Sequence, residues 1–420
     1  MAFFHRGQQK RKEHGQIIPM FALVLPVIIL FVGFAVDFGF AYITKANLSK
    51  AVDSACLMGM RNLYQGQPQA AAIAQSAFAL NYGSSGRDAN PPVVNVTWST
   101  DASGNTLLNV SATATIKTFF IRFLPQWKTL QVASNAQATR AKLIMSLVLD
   151  RSGSMNKNGG AQALPPAVTN FIDMFDDVND HAAMISFSST PRVDVSMRTG
   201  FKTPITNAVN SMAFGGGTFS QSGMLNAQTQ DNSVAISPGE NAVKVVVFFT
   251  DGWANMNQDS LQCSGSTKKL VNYGGCSPVE AQVGWCSGVS FLDPSTGNST
   301  SCGATQFPSQ QTGTMLSLTP AYPTGETNVS NEAMYRTVQV ANAMRAETVP
   351  TVVYSIGLGD KINQSFLYQV ANDPNSPTFN PNQPVGMAVF APDCPSSLCS
   401  SELDQVFQTI ASSILLRLTQ

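Results

Sequence analysis

Charge is what this sequence has least of: among 420 residues only 12% are Asp, Glu, Lys or Arg, and 25 acidic groups balance 25 basic ones. No basic stripe is available to neutralise phosphates, which excludes a nucleic-acid partner. Histidine is scarcer still, with His5, His14 and His181 alone, and no C-x-x-C pair accompanies them. This argues against a zinc centre built from cysteine and histidine. The phosphate-binding patterns G-x-x-x-x-G-K-[ST] and G-x-G-x-x-G are missing, as is a G-x-S-x-G elbow, so neither nucleotide binding nor an activated serine has a sequence basis. Cysteine is sparse and unevenly placed: Cys56 stands apart, while Cys263, Cys276, Cys286, Cys302, Cys394 and Cys399 lie in the C-terminal half. Six is an even number, and disulfides in an oxidising compartment are the better reading.

What the chain does have is one long uncharged run. Ile17–Val36, I-I-P-M-F-A-L-V-L-P-V-I-I-L-F-V-G-F-A-V, supplies the ~20 apolar residues that cross a bilayer. The helical pattern continues through Asp37, Tyr42 and Lys45 without a small-residue cleavage site, which predicts a retained anchor rather than a signal peptide. Arg6, Lys10, Arg11 and Lys12 precede the run. The positive-inside rule then puts the N-terminus in the cytoplasm and the bulk of the chain outside it.

The expected organisation is a cytoplasmic segment at 1–16, a transmembrane helix at 17–40, a helical stalk at 41–88, a small β module at 89–141 and a main domain at 142–420. In the β module, Val93–Trp98 and Leu107–Thr115 flank D-A-S-G-N as a hairpin, with further short strands expected at Phe119–Leu124 and Leu130–Thr139. From Leu143 onward, apolar runs at Leu143–Leu149, Ala182–Phe187, Val243–Thr250 and Thr351–Ile356 alternate with helical patterns. These helical patterns are Ala161–Phe175, Lys202–Met212, Phe219–Gln230 and Asn331–Arg345. That alternation predicts an α/β fold, a doubly wound, mostly parallel sheet covered by helices. The stretch Ser401–Leu418 carries an apolar stripe expected to face the core, with Ser401 and Asp404 resembling a capping box.

The candidate chemistry lies at strand ends. The first strand ends in Asp150, with Ser152 and Ser154 at alternate positions on a glycine turn. A carboxylate with two hydroxyls offers the oxygen donors a hard divalent cation takes, although an ordinary turn has the same composition. The Val243–Thr250 strand leads into Asp251 at the same sheet edge, and F-G-G-G-T ends in Thr218 just before a helix. Doubly wound sheets bind ligands at that edge, where strand order reverses.

Together, D-R-S-G-S at Asp150–Ser154, the threonine of G-G-G-T at Thr218 and the aspartate of T-D-G at Asp251 resemble the metal-ion-dependent adhesion site of von Willebrand factor type A domains. The resemblance implies that Ser152, Ser154 and Thr218 bind Mg²⁺ (or Mn²⁺ or Ca²⁺) through hydroxyls and that Asp150 and Asp251 act largely through waters. It leaves one position open for an acidic group of a protein partner. The segment H-G-Q-I-I-P-M-F-A-L through K-A-N-L-S-K-A-V-D-S-A resembles the N-terminus of TadE/TadG-like proteins of the tight-adherence (Flp) pilus system. One departure is that the fifth residue after Gly15 is Met20, where processed pilin-like segments carry Glu. The implied function is a membrane-anchored, non-catalytic pilus-assembly or adhesion factor whose partner is a pilus component or surface ligand with an acidic residue. A metal-dependent hydrolase and a type A module cooperating with an ATPase are the alternatives.

Between Asp251 and the next helix, about 253–328 is too long for a simple connection and reads as a disulfide-stapled insertion beside the metal edge. Cys263 with Cys276 and Cys286 with Cys302 are the simplest pairs, Cys394 with Cys399 closes a further loop, and Trp253 and Trp285 are candidate contact aromatics.

Overall fold

The computed structural model describes residues 17–83, 88–157, 159–275, 288–392 and 399–418. The chain divides into two compact units, one drawn from residues up to 138 and one from residues 139–420 joined by 63–66 and 100–106. His5, His14, Cys276, Trp285, Cys286 and Cys394 lie outside the described residues, and so does the side chain of Cys399.

The first unit is built on one helix, α1, Ile17–Arg61. Its two halves differ in kind. Through Ile18–Val32 the side chains are exposed, and only 6% of the most apolar 18-residue window is buried. A core helix would be covered by protein, whereas this half is exposed and is long and apolar enough to cross a membrane. From Leu48 to Met60 the helix instead buries Leu48, Ala51, Val52, Ala55 and Cys56 at helical spacing. Against this face pack α2, Gln67–Tyr82, through Ala70 and Ala74, and a three-stranded sheet. The sheet is ordered β1 (Asp88–Thr100), β2 (Thr106–Lys117), β3 (Thr129–Arg140). Every second residue of β2, from Leu108 to Ile116, is buried, as the two-residue period of a strand requires. Gly59 permits the closest approach, since a Cβ there would meet Leu108 Cδ2 at 2.7 Å.

Phe119–Leu124, expected as a strand, is not one: Ile121–Phe123 and Pro125–Trp127 are single 3₁₀ turns. The cause is the carboxylate of Asp37, which accepts the backbone N–H groups of Phe119, Phe120 and Ile121 at 2.8, 2.8 and 2.9 Å. Donors so engaged are unavailable for a strand ladder.

The second unit runs β4 (Lys142–Asp150), α3 (Gly160–Asp173), β5 (His181–Phe187), β6 (Pro191–Arg198), α4 (Lys202–Asn210), α5 (Ser220–Asp231) and β7 (Ala242–Thr250). After an inserted segment it continues with α6 (Glu326–Arg345), β14 (Thr351–Leu358), α7 (Gln364–Ala371), β15 (Ala388–Ala391) and α8 (Cys399–Leu418). The sheet order is β15-β14-β7-β4-β5-β6, parallel except for the antiparallel edge strand β6. Alternation along the central strands sorts the two faces. Leu143, Met145, Leu147 and Leu149 of β4 meet α3, α4 and α8, while Val148 and, on β7, Val246 and Phe248 meet α5, α6 and α7. Helix α8 is described from Cys399, and the Asp404 carboxylate accepts from the side-chain amides of Asn170 and Gln408.

The inserted segment folds on itself. β8 (Met256–Cys263), β9 (Ser266–Gly274), β10 (Val289–Leu292) and β11 (Ser299–Thr300) form a sheet in the order β11-β10-β9-β8, and β12 (Gln306–Pro308) pairs with β13 (Met315–Ser317). Among the described residues one disulfide staples it, joining Cys263 to Cys302, so neither Cys263 with Cys276 nor Cys286 with Cys302 is the pairing. Register explains the correction. Cys263 sits opposite Ser266 at the hairpin turn, and β9 then carries the chain toward Met256 at the other end, roughly 25 Å away at ~3.3 Å per residue. Helix α6 is tied to the insertion by Arg336, buried to 1% exposure, which donates to Glu332 Oε1 at 2.6 Å, Asp259 Oδ1 at 3.0 Å and the carbonyls of Gln258 and Pro308 at 2.9 and 2.8 Å.

Candidate functional site

Strand order reverses between β4 and β7: from β4 the chain builds outward to β5 and β6, then returns to place β7 on the other side. Both strands end at the same edge, and Leu149 pairs with Phe249, so Asp150 and Thr250 are next neighbours across the ladder. The Thr250 hydroxyl donates to Asp150 Oδ2 at 2.6 Å, and the Ser152 backbone N–H to Asp150 Oδ1 at 2.7 Å. Asp150 is fully buried, and burial pushes its carboxyl above the ordinary carboxylate range, against the opposing hydroxyl bonds from Ser152 and Thr250. Positive charge placed among these oxygens would offset that penalty.

The turn after Asp150 brings two hydroxyls together. Ser152 Oγ and Ser154 Oγ lie 3.0 Å apart, and Ser154 Oγ donates to Asp251 Oδ1 at 2.7 Å. An octahedron with metal–oxygen bonds of ~2.1 Å has an edge of about 3.0 Å, so the spacing of the serine oxygens suits a hard divalent ion. With the Ser154 proton directed to a carboxylate, the lone pairs of that oxygen remain for an electrophile. The donor set therefore fits the cation. It is a hydroxyl-based set: among the described residues no group of three His, Cys, Asp or Glu side chains has the arrangement to hold a metal.

Thr218 reaches the same edge on a loop strapped to this turn. Gly153 N–H donates to Gly216 O at 3.0 Å and Gly215 N–H to Arg151 O at 2.8 Å. Gly216 adopts φ +86°, a conformation that side chains disfavour, and a Cβ on Gly217 would meet Met256 Sδ at 2.6 Å. The glycines thus serve a sharp turn and a close approach. Thr218 itself is buried, its N–H bonded to Asn255 Oδ1 at 2.8 Å and its carbonyl to Asn255 N–H at 3.2 Å. All five predicted residues, Asp150, Ser152, Ser154, Thr218 and Asp251, stand at the β4/β7 edge, and the insertion begins directly beside them. Sequence reasoning missed Thr250 and Asn255. Thr250 was visible as the residue before T-D-G's aspartate, whereas Asn255 had no signal beyond lying four residues after Asp251. Trp253 points elsewhere: its Nε1–H donates to Lys361 O at 2.8 Å.

Family models match two stretches: residues 145–273 the von Willebrand factor type A domain, and residues 15–62 the Flp pilus-assembly TadE/G-like family. No curated protein matches the chain. Among solved structures, similarity at low identity extends to the mussel byssus proximal thread matrix protein 1 with a zinc-occupied MIDAS motif. That match has 14% identity and TM-score 0.36, covering 66% of this chain and 46% of that one. The chain is similar also to the vWF domain of the type V pili tip protein Mfa5 from Porphyromonas gingivalis (12%, TM-score 0.41, covering 67% and 98%). A third is the PilB minor pilin from Streptococcus sanguinis (13%, TM-score 0.40, covering 78% and 79%). The chain thus spans less than half of the mussel protein's length. The doubly wound sheet thus carries, over residues 145–273, a stretch that matches the von Willebrand factor type A domain, and residues 15–62 are similar to the TadE/G-like family.

Proposed function

We propose that this protein is a membrane-anchored, non-catalytic assembly or adhesion factor of a Tad-like pilus system that grips an acidic side chain of a protein partner. The grip is made through Mg²⁺, or Mn²⁺ or Ca²⁺, held by Ser152, Ser154 and Thr218 with Asp150 and Asp251 behind them. The observation that carries the reading is the 3.0 Å pair of serine hydroxyls backed by two carboxylates at the sheet's switch point. When bound, the cation supplies Lewis acidity toward an incoming carboxylate. The chain's own part is to orient hydroxyls: Asp251 accepts the hydrogen bond of the Ser154 hydroxyl and Asp150 fixes the turn through Ser152 N–H. Grip rather than turnover is favoured because the one described histidine, His181, opens β5 at the far end of the sheet from Asp150, where it cannot act as base. The exposed apolar half of α1 supports a single-pass anchor in the inner membrane, with the type A domain on the periplasmic or exterior side.

Pull-down of the full chain from its own membranes, with and without chelator, tests this reading. A partner retained in Mg²⁺ and lost both in chelator and in Ser154→Ala supports it. Identical captures in all three conditions overturn it. A C-terminal reporter active only in the cytoplasm would reverse the topology.

A further inference from the structure

The Asp37 carboxylate does more than end a strand. It stands one residue beyond the apolar run that closes at Val36, and it holds the turn that follows β2 against the last turns of that run. Two further contacts fix the depth. Phe120 lies on Gly33, where a Cβ would come within 2.5 Å of the Phe120 Cβ, and the Trp127 ring meets Phe34 edge-on at 6.2 Å. Gly33 is four residues before Asp37, about 6 Å along a helix at ~1.5 Å per residue. The turn therefore overlaps the end of the apolar segment rather than clearing it. What it displays there is apolar: Phe123 is 87% exposed, Phe119 59% and Leu124 38%, with Arg122 and Lys128 exposed beside them. On α1 itself Phe38 and Tyr42 are exposed just past Asp37.

We propose that residues 119–128 are a second membrane-contacting element, an aromatic wedge seated in the lipid leaflet in which the apolar half of α1 ends. This rests on the anchor reading above. The occupant is the boundary between acyl chains and headgroups. Aromatic rings partition to that depth, and the Arg122 and Lys128 stems can lie along it with their charges at the phosphates. An apolar turn bolted beside a spanning helix has that boundary as its continuation. Asp37 makes this affordable, because three backbone donors satisfy a carboxylate that would otherwise be costly so close to hydrocarbon. The bolt sets the rotation and tilt of α1 relative to the rest of its own unit.

The full chain in phosphatidylcholine–phosphatidylglycerol vesicles provides the test, with tryptophan placed at Phe123→Trp or, as a reference within the span, at Phe31→Trp. Both positions are exposed, at 87% and 69%. After subtraction of the parent emission, the Phe123→Trp signal should be blue-shifted and quenched roughly twofold or more by lipids brominated near the headgroup, and less by lipids brominated near the chain ends. Phe31→Trp should show the reverse preference. If Phe31→Trp is quenched while Phe123→Trp emits as in water, the wedge is refuted and the anchor stands. If neither is quenched, the anchor reading fails and the wedge with it. A Phe123→Trp signal that shifts only when membrane proteins are added, and not with lipid, assigns the turn to a protein partner and overturns the proposal.

Discussion

Two pairs of carboxylates in the second unit are used in opposite ways. Glu332 and Asp259 close on Arg336, a guanidinium that is all donors, and two carbonyls take two more of its N–H groups. The cluster is complete as folded and serves to fasten α6 to the insertion. Asp150 and Asp251 close instead on hydroxyls, through Thr250 and Ser154. A hydroxyl that has given its proton still offers lone pairs, so this second cluster is a donor set as well as a bond network. In the first cluster the chain supplies its own cation, and in the second it presents serine oxygens to which, on the proposed function, a cation from solution would bind.

The comparison breaks most visibly at Arg336. Arg336→Met strands two buried acids, and unfolding by urea should show a loss of about 3–5 kcal/mol. The metal affinity of whatever remains folded should be little changed. If the variant is as stable as the parent, the cluster is not the fastening inferred here. Removing the disulfide by Cys263→Ser together with Cys302→Ser opens a loop of sequence separation 39 and should cost about 3–4 kcal/mol if the insertion unfolds with the domain. Read by the same unfolding curves, this change too should spare the metal site.

A smaller effect is expected at Asp231, the buried acid that accepts the Ser146 hydroxyl at 2.6 Å. Burial pushes its carboxyl well above the ordinary range, opposed by that hydroxyl and by Lys244. The folded state then holds the proton more tightly than the unfolded chain, so this group's contribution falls as pH rises from the ordinary carboxylate pKa of about 3.9 toward the raised folded value. Asp231→Asn keeps an acceptor without the charge. Relative to the parent it should gain stability between pH 4 and 7, by about 1–3 kcal/mol, in denaturation midpoints taken across that range. An unchanged difference across the range would mean that Asp231 is satisfied as an anion.

Much of this architecture was legible because buried parallel strands are written as continuous apolar runs: Leu143–Leu149 and Val243–Thr250 were found to within a residue or two. The placement of the candidate site was legible for a related reason. Its residues sit where those runs stop, so Asp150 and Asp251 could be placed at one edge before any side chain was positioned. What escaped depended on contacts distant in sequence. Phe119–Leu124 reads as a strand by its apolar residues, and only Asp37, 82 residues earlier at its nearest bond, turns it into a 3₁₀ segment. The pairing of Cys263 with Cys302 follows from a hairpin register that cysteine spacing does not encode. The edge strand β6, P-R-V-D-V-S-M-R, lacks the continuous apolar signature, having a neighbour on one side only, and β15, A-V-F-A, is apolar but only four residues long.

The central claim is that Ser152 and Ser154, backed by Asp150 and Asp251 and joined by Thr218, form a cation site. Calorimetric titration of Mg²⁺ and Mn²⁺ into the full chain in nanodiscs tests it most directly, alongside Asp150→Ala, Ser154→Ala and the Arg336→Met control. The account predicts saturable binding by the parent, at least roughly tenfold weaker binding by the first two variants, and binding by the folded fraction of the third like the parent's. Equal affinity in the parent and in Asp150→Ala would contradict it.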